Sequence, residues 1–179
     1  VEMAEDLERI AMNFGGENIA ACIVEPIAGS TGTLVPPKGY LKRLREICDK
    51  HGILLIFDEV ITGWGRTGSA FAAQEWNVTP DIMTMAKATT NGVVPMGVVA
   101  VKEEIYDSVL DASSAPEGTP ELFHGYTYSG IPVAVAAALA VQDIFDKEDI
   151  FKRAKEMSPY LQDGLQSLKD LKEVVSIRG

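Results

Sequence analysis

Long apolar runs are missing from this chain, and none reaches the roughly 18–20 residues that a membrane-spanning helix requires. Positive charge is in deficit, with 16 Lys and Arg against 26 Asp and Glu and a formal net charge of −10. No Lys/Arg cluster interrupts that acidity, which argues against nucleic acid or an anionic membrane as partner and leaves a small molecule as the expected ligand. Cysteine is scarce. Cys22 lies in an apolar strand-like run and Cys48 in an amphipathic helical pattern, without CxxC spacing or a nearby histidine. Both therefore read as reduced core thiols rather than metal ligands or a disulfide. Reduced thiols fit a reducing cytosol, so the cytoplasm is the expected compartment; repeats, low-complexity tracts and a basic leader ahead of an apolar stretch are also absent. A content of 46% hydrophobic and 23% charged residues excludes a disordered chain and is ordinary for a globular protein with a core.

What the chain does have is three short apolar runs, residues 19–24, 53–57 and 82–86, each followed or closed by an ionisable side chain: Glu25, Asp58 and Lys87. Runs of this length read as strands buried on both faces, and the helical segments between them predict parallel crossovers. All three ends then lie along one edge of one sheet, where ligands of open α/β sheets bind. An acid or amine at a strand end can simply mark the return to solvent. Three at one edge point to a site. A carboxylate beside a lysine suits a cofactor with a basic ring nitrogen and an aldehyde carbon, because the acid holds the nitrogen protonated while the amine forms a Schiff base. Pyridoxal phosphate has both.

The predicted order is helix, strand, helix, strand, short helix, strand, strand, helix, long loop, helix, helix, strand. A helix over 2–13 carries Leu7, Ile10 and Ala11 on one face. A second spans residues 40–51, with Leu41, Leu44, Ile47 and Cys48 as its stripe and Gly52 as its stop. His51 at its end reads as a capping or solvent-facing residue. Residues 68–77 read as a short helix and 111–119 as the most loop-like stretch, while Pro132 opens an Ala-rich helix running to about Phe145. Residues 174–177 read as a strand cut short, so the chain is expected to be a fragment. The hexapeptide Gly63-Trp64-Gly65-Arg66-Thr67-Gly68 matches the G-x-G-x-x-G dinucleotide fingerprint in letters only. Five residues separate it from its strand, an acid stands just before the loop, and no acid closes a second strand at the required distance.

Four segments together resemble the class III (omega) aminotransferases of the fold-type-I pyridoxal-phosphate enzymes. They are residues 24–30 (Val-Glu-Pro-Ile-Ala-Gly-Ser), residues 55–68, Pro80-Asp81 through Lys87, and residues 124–130 (His-Gly-Tyr-Thr-Tyr-Ser-Gly). The 29 residues from Asp58 to Lys87 also match the family spacing. The resemblance implies an α/β fold, the large domain of a fold-type-I transferase, with a mainly parallel sheet flanked by helices. Residues 1–149 would belong to that domain, and 150–179 would form a long helix and the start of a C-terminal small domain. It further implies that Asp58 pairs with the pyridinium nitrogen, Val60 packs on the ring, and Lys87 carries the cofactor and moves the substrate proton. Thr127 would hold the phosphate in the neighbouring subunit's site, which requires a homodimer or a dimer of dimers; otherwise its hydroxyl would satisfy its own turn. Glu25 is expected on the cofactor side.

Ser30 stands where the ornithine and GABA branches normally carry glutamate. Residues 36–45 and 91–97 look most like the beta-alanine (omega-amino acid):pyruvate branch, so the expected substrates are an omega-amino acid or amine as donor and pyruvate as 2-oxo acid acceptor. Ile131 and Trp64 depart from the residues common in that branch, His and Phe. The phosphate cup and the stacking aromatic would lie upstream, and the substrate arginine downstream. Arg66 is expected to be structural. The competing expectation is the same fold without transamination: a silent subunit, a mutase or decarboxylase, or an inactive fragment.

Overall fold

The computed structural model describes residues 1–113 and 124–179. A sheet of four strands runs in the order β1 (Ala21–Val24), β2 (Leu54–Asp58), β3 (Ile82–Met85), β4 (Val98–Val101). The first three are parallel, in the register Val24 opposite Phe57 and Asp58 opposite Thr84, and β4 returns antiparallel to β3. The sheet is thus mainly parallel, and the three expected strand ends do share one edge.

Helices α1 (Glu5–Phe14) and α2 (Tyr40–His51) cover one face. The stripe on α2 repeats at helical spacing, so Leu41, Leu44, Ile47 and Cys48 all turn inward and are buried. They meet Leu55 and Phe57 of β2, both fully buried, with Cys22 and Val24 of β1 packed alongside. Each such apolar side chain contributes about 1.5–3 kcal/mol on burial. Gly52 ends α2 at φ +68, a left-handed conformation that favours glycine. Cys22 and Cys48 are free thiols; the Cys48 side chain holds Cys22 below its ordinary value, and Cys48 is correspondingly pushed up.

The expectation of burial on both faces is corrected. Side chains alternate across a strand, and on the face away from α1 and α2, Ile23 is 63% and Val99 64% exposed. No element of the described residues covers them as α2 covers Leu55 and Phe57. The short helix expected over residues 68–77 is shorter still, only α3 (Ala72–Glu75), because Gly68 sits at φ +85 and Phe71 is extended. The amino-terminal helix begins as a 3-10 turn over Glu2–Ala4. Helix α4 (Glu103–Ala112) follows β4 and takes in Asp111, while most of the expected loop at 111–119 lies outside the described residues. Helix α5 (Pro132–Lys147) starts at Pro132 as expected, and α6 spans Ile150–Gln166.

Residues 174–177 form no strand. The Val174 N–H closes a turn onto the Leu171 carbonyl, and Arg178 Nη1 donates to the Gly32 carbonyl at 3.1 Å, so the tail lies on the loop after β1 rather than on a sheet edge. His51 is not solvent-facing. Its Nε2 lies 3.1 Å from Glu8 Oε2 because α1 packs across the end of α2, and Lys50 pairs with the same carboxylate.

At the opposite end of the strands from Asp58, Asp81 ties three elements together. Its Oδ2 accepts the Leu55 N–H and Arg45 Nη1, each at 2.7 Å, and its Oδ1 accepts Lys102 Nζ at 2.8 Å. Burial opposes the charge on Asp81, but the Lys102, Leu55 and Arg45 hydrogen bonds outweigh it and hold the carboxyl below its ordinary value of 3.8.

Candidate active site

The register that sets Asp58 opposite Thr84 puts the end of β2 beside the end of β3, three residues before Lys87. The Glu59 N–H donates to the Thr84 carbonyl at 2.9 Å and prolongs that pairing past Asp58. Asp58 is half-buried. Its Oδ1 accepts the Val60 N–H at 3.0 Å, a local turn that fixes the carboxylate and leaves Oδ2 without a partner among the described residues. Lys87 is exposed, opens a 3-10 turn over Lys87–Thr89, and makes no ion pair among the described residues. Its φ of +48 is uncommon for a residue with a side chain, and such conformations concentrate at functional positions.

An apolar cavity of about 560 Å³ opens at this end of the sheet. Val60, Thr84, Ala86 and Met96 line it from one side, and Tyr126, Tyr128 and Ile131 from the other. Val60 is therefore where a flat ring could rest beside Asp58. Thr127 lies in the turn between the two tyrosines and is exposed. The hydroxyl that closes that turn belongs to Ser129, whose Oγ accepts the Tyr126 N–H at 2.9 Å, so Thr127 is not consumed by it. Glu25, by contrast, is tied into its own loop through the Gly29 N–H at 3.0 Å. Ser30 is exposed in that loop, and Arg66 is exposed at a separate cavity of about 590 Å³ beside Met157 and Leu161 of α6.

The sequence reading passed over Glu59. It is fully buried, and its carboxylate accepts the Thr62 hydroxyl at 2.8 Å and the Ala72 and Ala73 N–H groups at 2.8 and 2.7 Å. Two of these donors are amides at the start of α3 that have no partner within their helix, where a negative charge is favoured. Glu59 thereby pins the loop from Thr62 to Phe71 under the strand end that carries Asp58. The available signal was an acid directly after the strand-end aspartate with Thr62 three residues on. The same loop also reaches the turn that Lys87 opens: Trp64 Nε1 donates to Thr89 Oγ1 at 2.9 Å.

An α/β sheet with a fixed carboxylate and an amine unpaired among the described residues at adjacent parallel strand ends, next to an apolar cavity, is chemistry that a cofactor carrying a basic ring and an aldehyde would use. The chain belongs to the class-III aminotransferase family (Aminotransferase class-III), which matches over residues 1–179. It is 56% identical to an omega-aminotransferase of Caulobacter vibrioides over 176 residues, 98% of this chain and 39% of that protein. It is 51% identical to a beta-alanine–pyruvate aminotransferase of Pseudomonas aeruginosa, covering 99% of this chain and 40% of the relative. A solved thermostable (S)-enantioselective omega-transaminase from Thermomicrobium roseum superposes with a TM-score of 0.92 at 42% identity, over 99% of this chain and 38% of that one. The chain thus spans about two fifths of the length of these relatives. Class-III aminotransferases depend on pyridoxal phosphate.

Proposed function

We propose that the full-length protein carrying this chain transfers an amino group from an omega-amino acid or amine, such as beta-alanine, to pyruvate, using pyridoxal phosphate. The observation that carries this reading is the placement of Asp58 and Lys87 at adjacent ends of parallel β2 and β3, next in the chain to Val60 and Ala86, which line the cavity. Their chemistry fits the cofactor. One oxygen of Asp58 is anchored and the other has no partner among the described residues, as a carboxylate facing a protonated ring nitrogen requires. When bound, pyridoxal phosphate supplies the electron sink that lets a carbon–hydrogen bond of the substrate ionise.

The residues of this chain divide the rest. Asp58 would hold the proton on the ring nitrogen, and Val60 would pack on the ring and keep water from it. Lys87 Nζ would hold the aldehyde carbon, and as the amine nearest the reacting carbon it would take and return the substrate proton. Thr127, exposed and not used by its own turn, is offered to a phosphate in a neighbouring subunit, which makes the active form a homodimer or a dimer of dimers. Glu25 shapes the loop at the cofactor side. Residues 1–149 belong to the cofactor-binding large domain and 150–179 begin the small one, and the enzyme works in the cytoplasm. Ser30 supports pyruvate as acceptor, because a serine cannot form the carboxylate–arginine pair expected of a 2-oxoglutarate site.

The test is donor and acceptor profiling of the full-length protein, followed by its visible absorbance. Beta-alanine should bleach the cofactor band, and the specificity constant should be higher with pyruvate than with 2-oxoglutarate. A band that no amine donor bleaches would assign the fold to a mutase, a decarboxylase or a silent subunit instead.

A further inference from the structure

Two loops meet behind Lys87. After Val60 the chain passes through Trp64, whose backbone lies at φ +62 and whose N–H is held by the Ala70 carbonyl. Its half-buried indole sits edge-on to Phe71, with ring centroids 5.1 Å apart, and contacts Phe145 of α5 at 6.3 Å. From there Nε1 donates to Thr89 Oγ1 at 2.9 Å. The Thr89 hydroxyl lies 3.1 Å from the Ala86 carbonyl, and Thr89 is 2% exposed. An indole nitrogen can only donate, so Thr89 must accept there and give its own proton to Ala86. The Ala86 carbonyl also receives the Thr89 N–H at 3.1 Å. Both of its lone pairs are thereby engaged, in a chain of hydrogen bonds that polarise one another. Ala86 is the residue before Lys87, and the peptide so fixed leads directly into the left-handed φ of +48.

We infer that Trp64 is a positioning residue for Lys87, acting through Thr89 on the Ala86–Lys87 peptide. This rests on the reading of Lys87 as the reactive amine. The loop that begins at Asp58 thus sets the backbone of the lysine as well as presenting the carboxylate, so the two groups keep one relative placement. A phenylalanine at 64 would keep a ring against Phe71 and Phe145 but could not donate.

The test is made on the full-length, cofactor-loaded protein with Trp64→Phe, Thr89→Val, Thr89→Ser and the double variant Trp64→Phe/Thr89→Val. Misplacement of a reacting group costs rate steeply, so Trp64→Phe and Thr89→Val should each lower kcat on the order of tenfold, with KM for beta-alanine unchanged. Thr89→Ser, which keeps the hydroxyl, should stay within about twofold. Because the residues act in series, the double variant should be no slower than Thr89→Val alone. The pH at which the visible absorbance of the loaded protein titrates should move in Trp64→Phe and Thr89→Val and keep its wild-type value in Thr89→Ser. Wild-type kcat and an unmoved spectral titration in Trp64→Phe would overturn the inference, as would additive losses in the double variant. A wild-type protein with neither cofactor band nor turnover would instead overturn the functional reading beneath it.

Discussion

Lys87 and Asp58 illustrate how far chemistry follows from a single side chain. Lys87 is exposed at the end of β3 and makes no ion pair among the described residues. Lys87→Ala should therefore abolish transamination in the full-length protein with a melting temperature within a few degrees of wild type; activity above about a hundredth of wild type would remove the lysine from its role. Asp58 is different, since its Oδ1 also holds the Val60 N–H. Asn in its place keeps that acceptor and the shape but removes the charge, and each pKa unit lost at the ring nitrogen is worth about 1.36 kcal/mol. Asp58→Asn should lower kcat by orders of magnitude with little loss of stability, and an unchanged rate would mean that the carboxylate serves only the turn.

Between elements, two buried acids act as fasteners. Glu59 binds the loop from Thr62 to Phe71 and the first amides of α3 to the end of β2. Removing it strands buried donors that each cost about 1–3 kcal/mol when unmade. Glu59→Ala should thus destabilise the protein by about 3 kcal/mol or more in denaturant unfolding; a loss below about 1 kcal/mol would show that water replaces the carboxylate. Asp81 joins α2, β2 and the start of α4 through Arg45, Leu55 and Lys102. Its carboxyl is lowered in the folded state, so the stability it contributes is present above its ordinary value of 3.8 and is lost as pH falls through the lower folded value. Urea midpoints measured from pH 6 down to pH 2 should fall less steeply for Asp81→Asn than for wild type, from a lower starting point. Parallel curves would remove Asp81 from the acid limb.

On the scale of the whole molecule, the open side of the sheet matters most. Ile23 and Val99 lie exposed there, and the cavity at Val60 and Thr84 adjoins the same region. A cofactor site with one side open to water cannot protect a Schiff base from hydrolysis. The 179-residue segment expressed alone should therefore bind pyridoxal phosphate weakly at best and show no transamination, while the full-length protein should do both. Equilibrium dialysis of the cofactor and a coupled assay with beta-alanine and pyruvate check this; turnover by the segment at a full-length rate would mean that these residues suffice.

Helix α2 from Tyr40 to His51, the start of α5 at Pro132, the three strands that run toward Glu25, Asp58 and Lys87, and the shared edge of their ends were all legible in the sequence. Each depends on local periodicity, on a glycine or proline at an element boundary, or on the parallel crossover that follows from alternating strands and helices. The covered face, the coil at 174–177, the pairing of His51 with Glu8 and the short α3 were decided only in three dimensions. So were the three donors on Glu59 and the link from Trp64 to Thr89, 25 residues apart. A strand's burial and a polar group's partner are properties of pairs brought together from distant parts of the chain, whereas helical or extended backbone preference belongs to the residue and its near neighbours.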